Sequence, residues 1–250
     1  MLDKAVIILQ PTVDVRKFIA FPSKDIANSN DTQVPAMLIY ILNIFSKNLI
    51  AHLVTEAGIN PGYAEPIGIV AAQFFSIDTF MYRGSPMVDI LWAKYRVVCP
   101  ALWGFYGDES TVEGKFAVGW RRVEPGGPFI KEQAHAERMT GLGAGFAALT
   151  LRNFGKTTRQ NPFPNTLFWQ AMHRIVTLPA TELQDTHYYL LNALLRNSAE
   201  RIVGFFGHIG LAAIRIAIVD LPNDAPKQST AINTLRLLRE LYRQEKNILI

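Results

Sequence analysis

Between Pro35 and Pro100 the chain carries three long runs of apolar residues at helical spacing, each followed by a residue suited to stopping a helix. In the first, Met37, Ile41, Ile44, Phe45, Leu49 and Leu53 recur three or four positions apart, the interval that lines one side of a helix, and Gly58 stands where it would end. Asn60-Pro61 opens the second, which continues through Ala64, Ile67, Val70, Ala71 and Phe74. The third is expected to begin on Ser85 as N-cap, with Pro86 at the first helical position, where its missing N–H costs nothing. It should stop at Cys99, because the ring of Pro100 blocks continuation. This much sequence in plain helices, with no catalytic constellation on them, points to a protein that works by presenting a surface.

Helical spacing resumes over 131–152, 165–177, 182–197, 200–219 and 228–246. The intervening 101–129 region is punctuated by Gly104, Gly107, Gly114 and Pro125-Gly126-Gly127-Pro128 and should be shorter and less regular. Residues 1–33 read as irregular or briefly extended, with the polar tract from Ser23 to Gln33 as a loop. Several alternating runs with hairpin turns are not found, so the expected class is all-α: one domain over 34–250 of sequential antiparallel helices stacked in a HEAT-like array. The chain begins without an evident first element, so a fragment of something longer is expected.

Composition narrows the function classes. Hydrophobic residues make up 49% and charged residues 18% of the 250, enough for a substantial core. Every apolar run breaks at Gly, Pro or a charge before reaching the roughly 18 residues of a membrane span. Met1 to Gln10 carries an early acid and no small-residue cleavage site, so no secretory signal is read there. The single cysteine, Cys99, excludes an internal disulfide and a cysteine-rich metal site; beside Val97 and Val98 it should be a buried, inert thiol. A reducing compartment, cytosol or nucleus, is expected.

Two fragments imitate nucleotide motifs. Gly155-Lys156-Thr157 ends like a phosphate-cradling loop, but its first glycine would fall at Thr150. Gly141-Leu142-Gly143-Ala144-Gly145 resembles a dinucleotide turn, but Glu137-Arg138-Met139 before it is helical in pattern rather than strand-like. Close helix approach accounts for these glycines better. The histidines at 52, 135, 173, 187 and 208 have no i, i+4 pair among them and form no metal set.

The net charge is only +4, but its distribution is one-sided. From Arg138 to Thr181 there is no acid, while Arg138, Arg152, Lys156, Arg159 and Arg174 are present; Ile90 to Gly107 is likewise acid-free and holds Lys94 and Arg96. If the first and third helices pack side by side, Lys47, Lys94 and Arg96 converge at one edge, and Arg121-Arg122 joins them, a cluster able to bind a polyphosphate. Cations scattered over separate solvated surfaces are the competing reading.

The residues also carry a family likeness. Leu42-Asn43-Ile44-Phe45-Ser46-Lys47, Glu56 and Pro61-Gly62-Tyr63-Ala64-Glu65-Pro66-Ile67-Gly68 are followed in order by Ala93-Lys94, Cys99-Pro100 and Gly119-Trp120. Glu137-Arg138-Met139-Thr140-Gly141, Asn161-Pro162-Phe163-Pro164 and Trp169 complete the series. Over about residues 35 to 246 this resembles the carboxy-terminal domain of the Gle (GLFG-lethal) mRNA export mediators of the nuclear pore, most of all the filamentous-fungal members. The resemblance implies a MIF4G-like helical domain, related to the middle domain of translation-initiation scaffolds, with no enzymatic activity of its own. It implies binding to a DEAD-box RNA helicase at the cytoplasmic face of the pore, or in the cytoplasm, and stimulation of its ATPase cycle. A short carboxy-terminal motif of an FG-nucleoporin is the second implied partner, with other pore proteins beside it, RNA only indirectly and no membrane. The apolar stretch around Phe205, Phe206 and Leu211 is the expected nucleoporin groove.

Some members of that family hold inositol hexakisphosphate with lysines that include an adjacent pair directly before the Cys-Pro. Lys47 and Lys94 match basic positions of that pocket and Arg96 lies beside it, but Val97 and Val98 replace the pair. At about 1.5–3 kcal/mol per charge-assisted contact, weak binding or none is expected. The alternative function is a general helical scaffold for RNA or translation factors.

Overall fold

The protein is described over residues 10–250 of a computed structural model. The first part of the segment read as irregular, and nearly all of the stretch read for a secretory signal, lie outside the described residues. Within them the fold is helical, with two short antiparallel pairings, Thr12–Asp14 (β1) with Gln33–Pro35 (β2) and Met81–Tyr82 (β3) with Ser85–Pro86 (β4).

The first long helix, α1, spans Ala36–His52 and runs on through a wider π-helical turn, Leu53–Ala57. Gly58 does not end it by adopting the left-handed conformation; its φ of −63° and ψ of −39° are helical. The glycine serves space instead, since a Cβ there would lie 2.7 Å from the Glu137 carbonyl oxygen. Helix α2 spans Ala64–Phe75, led in by a 3-10 turn at Pro61–Tyr63 that Asn60 caps through its side chain.

The third helix, α3, is Asp89–Val98, three residues shorter at its start than Ser85-Pro86 predicts. Arg83 and Gly84 both have positive φ, 49° and 75°, the type I′ geometry that closes a two-residue hairpin. Ser85 and Pro86 are therefore drawn into β4 opposite Tyr82 and Met81. The end of α3 falls where Pro100 demands, at Cys99. The Ser23 tract also differs from a plain loop: Ser23 caps a one-turn helix, Lys24–Ala27, whose Ile26 is fully buried.

Beyond Pro100 come a 3-10 turn, Pro100–Trp103, and a short helix, α4 (Val112–Ala117), then α5 (Glu132–Thr150), α6 (Thr166–Val176) and α7 (Asp185–Arg196). Helices α8 (Ala199–Arg215) and α9 (Thr230–Lys246) complete the chain. The segment expected as one helix over 200–219 is broken at Gly207, whose φ of 56° and ψ of −133° only glycine adopts without strain, and it ends in a π-helical turn, Ile216–Asp220.

Packing centres on α5, which meets α2, the turn that extends α1, and above all α7. Helix α1 lies chiefly against α3 rather than its sequence neighbour α2. The glycines of α5 make this possible. A Cβ at Gly141 would collide with the Leu53 carbonyl, one at Gly145 would reach the Leu53 side chain at 2.5 Å, and one at Gly143, on another side, would meet Ala193 at 2.7 Å. They are contact surfaces of a core helix and form no dinucleotide turn. Trp92, Tyr95, Trp103 and Phe146 pack edge to face or tilted in the layer between α3 and α5, and the Tyr95 hydroxyl donates to the Leu142 carbonyl.

Candidate functional site

Because α1 packs on α3, Lys47 and Lys94 come to the same depression, about 460 Å³, lined otherwise by Ile50, Ala93, Val97 and Val98. The two lysines share the depression with four aliphatic side chains, and Val97 is 79% exposed. Among the described residues no carboxylate lines the depression. The arrangement suits a partner surface that carries both an acid and an apolar side chain. It fits a dense polyphosphate poorly, because most phosphate oxygens over four aliphatic side chains would lose water without gaining a donor.

The other expected cations do not line this depression. Arg96 turns toward Trp103, its guanidinium 5.8 Å from the ring centroid. Arg122 closes the Pro125–Pro128 turn instead, donating to the Gly127 carbonyl and lying 4.8 Å over Phe129. Arg121 is exposed and near Arg138. Arg138 donates through Nη2 to the Val98 carbonyl, 3.2 Å away at the C-terminal end of α3, and burial together with Arg121 depresses its pKa. Arg138 thus hydrogen-bonds the Val98 end of α3, a role that neither its place in the acid-free tract nor the Glu137-Arg138-Met139 motif pointed to.

Phe205 and Phe206 lie together on α8, centroids 5.8 Å apart, and Phe206 packs edge-on against Trp169 of α6 at 4.7 Å. Ile209, 73% exposed, and Leu211, half-buried, both lie beyond the break at Gly207. This corrects one expectation: Ala199–Asn223 and Ala36–Ala57, with mean hydropathies of 2.0 and 1.5 over their most apolar windows, are long and apolar enough by composition to cross a membrane. The second of these contributes Leu42, Leu49 and Leu53 to the core, and the first bends sharply at Gly207.

The remaining reactive groups are tied into structure. Cys99 is buried, its thiol pushed up to about 12 by burial. The Gly155 N–H donates to Asn153 Oδ1 at 2.7 Å, so it is not free to cradle a phosphate. His135 and His187 are buried, and His52 pairs with Glu56 at 2.6 Å on the surface. Among the described residues no group of three or more His, Cys, Asp or Glu is placed to hold a metal ion.

Comparison with known proteins gives a consistent picture. The family model described as GLE1-like protein matches residues 10–218. The mRNA export factor GLE1 of Chaetomium thermophilum is 40% identical over 238 residues, covering 94% of this chain and 45% of that protein. The Saccharomyces cerevisiae protein of the same name is 24% identical over 218 residues, covering 85% of this chain and 39% of its own length. The chain thus spans less than half the length of these curated relatives. Among solved structures, a chain of the S. cerevisiae complex described as a Dbp5 C-terminal domain bound to Gle1 and IP6 superposes with a TM-score of 0.72 at 23% identity. The match covers 84% of this chain and 70% of that one, and the helical fold is what the two share.

Proposed function

The chain belongs to the GLE1-like protein family, and from that premise we propose that it is a regulatory module of mRNA export which binds a DEAD-box RNA helicase and stimulates its ATPase cycle. Contact with both RecA-like lobes holds them apart, so that RNA and spent nucleotide leave, at the cytoplasmic face of the nuclear pore. The chain makes and breaks no bonds. Its effect on the helicase is limited to the difference in its affinity for the open and closed partner, about 1.4 kcal/mol for each tenfold shift.

The observation that carries this reading is the family match over residues 10–218, and the fold shared with a chain solved alongside Dbp5 supports it. We assign helicase contact to the Lys47–Lys94 depression, made directly rather than through inositol hexakisphosphate, because four aliphatic side chains share it with the lysines. The exposed apolar residues of α8, Phe205 and Phe206 beside Trp169 together with Ile209 past the break, are assigned to the FG-nucleoporin motif, since exposed apolar area of this kind marks an interaction site.

A steady-state ATPase assay of the cognate helicase, with RNA and increasing amounts of this chain, tests the proposal. Stimulation is expected, and the K47E/K94E double variant should need at least tenfold more protein for the same effect. Tight binding of RNA by the chain itself, steeply weakened by salt, with no stimulation, would instead establish the general scaffold reading.

A further inference from the structure

Helix α2 is apolar on both sides. Its inner side, Ala64, Gly68, Ala71, Ala72 and Phe75, is buried, and it presses so closely on α5 that a Cβ at Gly68 would come within 2.8 Å of the Ala148 side chain. The outer side of such a helix is ordinarily polar. Here Ile69 and Val70 are 40% and 55% exposed, and Tyr63 on the turn leading in is 53% exposed.

Beside this outer face, between α2 and the loop over 152–159, runs a groove of about 540 Å³ whose walls differ in character. One wall is aliphatic, from Ile69, Val70 and Ile77; the other carries Arg152 and Arg159, with Phe154 between them. Among the described residues no carboxylate lines it. The acid that pairs with Arg152, Glu65, is shared by two guanidinium groups: Arg152 at 3.0 Å and Arg201 at 2.5 Å. Lys156 and Arg159, both exposed, make no ion pair among the described residues. The groove therefore joins unsatisfied apolar area to unbalanced positive charge.

Those two properties select among occupants. Single-stranded RNA needs open aromatic faces for its bases, but Phe74 is already stacked with Phe45 and Phe80, at 3.9 and 4.3 Å, and Phe154, the other aromatic of the groove, is partly buried against the core. A small polyanion would gain nothing from the aliphatic wall. An amphipathic protein helix with apolar side chains along one stripe and carboxylates on its border satisfies both walls at once. We propose that the α2 groove docks an acidic amphipathic segment of a partner protein. The groove shares no lining residue with the Lys47–Lys94 depression, so the docking is separate from the helicase contact assigned there.

The probe is a fluorescein-labelled 18-residue helical peptide with leucines at i, i+3, i+4 and i+7 and glutamates along one border, read by fluorescence anisotropy against the whole chain. A matched peptide with lysine for every glutamate is the control. Binding of the acidic peptide is expected, at least tenfold tighter than the basic one, weakening on going from 50 to 300 mM salt. Val70→Asp and Arg159→Glu, both at exposed positions, should each weaken it at least fivefold, with the melting temperature and helicase stimulation unchanged. Four outcomes overturn the proposal: no binding of the acidic peptide, equal binding of both peptides, insensitivity to the two substitutions, or displacement by oligouridylate. Self-association that V70D abolishes would overturn it too, by making a second copy of this chain the occupant.

Discussion

The imidazole of His135 lies flat against the indole of Trp120, ring centroids 4.0 Å apart and planes 12° from parallel. Its Nε2 side makes a 2.7 Å hydrogen bond with Thr186 Oγ1, so a single side chain of α5 ties the 101–129 region to the first turn of α7. His187, next to Thr186, is also fully enclosed and accepts the Gln184 N–H at Nδ1, 3.0 Å away. Burial holds the pKa of His135 down at about 3 and that of His187 at about 4.

Acid should therefore loosen this junction. Both histidines bind protons more readily unfolded, at an ordinary 6.5, than folded, so the stability they confer is complete above that pH and is lost as pH falls toward 3–4. At pH 5 the loss is on the order of 2 kcal/mol per histidine. Glu109, raised by burial beside Thr186, acts in the opposite direction and offsets part of it. Urea midpoints at pH 7.5 and 5.0 measure the effect. His135→Gln, which cannot charge, should show a clearly smaller drop, and an identical drop in both proteins would refute the account.

Gly141→Ala should destabilise the chain by about 1–3 kcal/mol, because the added methyl meets the Leu53 carbonyl, a backbone atom in a fully packed layer that cannot swing aside. Gly204 on α8 is the contrast, since a methyl added there would have open space for 4 Å around it. At that position alanine should stabilise by about 0.5–1 kcal/mol through its higher helix propensity. Paired thermal melts of the two variants read both signs in one experiment.

Helices whose ends are set locally were legible in the sequence. Pro100 fixes the end of α3, and Asn60 caps the turn at Pro61 that leads into α2. The start of α3 was not, because Ser85-Pro86 suits either a helix cap or a hairpin arm, and the positive φ of Arg83 and Gly84 selects the hairpin. The break at Gly207 was hidden for a similar reason: one glycine in an apolar run is compatible with an unbroken helix. In the candidate site, Arg96 was separable from Lys94 by spacing alone, since two positions turn a helix by about 200° and place the two side chains on opposite sides. The roles of Arg122 and Arg138 depend on carbonyls that only the folded chain brings near, Gly127 across a turn and Val98 on another helix.

The nucleoporin assignment predicts a separation of stability from binding at Ile209. That side chain is 73% exposed, so Ile209→Glu should leave the melting temperature of the free chain within a degree or two. A ligand at 100 times its Kd stabilises by about 2.7 kcal/mol, so the nucleoporin motif peptide should raise the melting point of the parent by several degrees. In the I209E variant that rise should shrink or vanish. An undiminished rise would place the peptide elsewhere.

Val97 is the position at which the depression can be converted. It is 79% exposed beside Lys47 and Lys94, so Val97→Lys removes no buried apolar area, and a third ammonium there would face the same space. Calorimetry with inositol hexakisphosphate at physiological salt should give weak binding or none for the parent chain. If a new charge-assisted contact adds about 1.5 kcal/mol, the V97K variant should bind more than tenfold tighter, and the gain should shrink with added salt as a charge effect must. Submicromolar affinity in the parent would show that two lysines among aliphatic side chains suffice, and the assignment of this surface to direct contact with the helicase would fail with it.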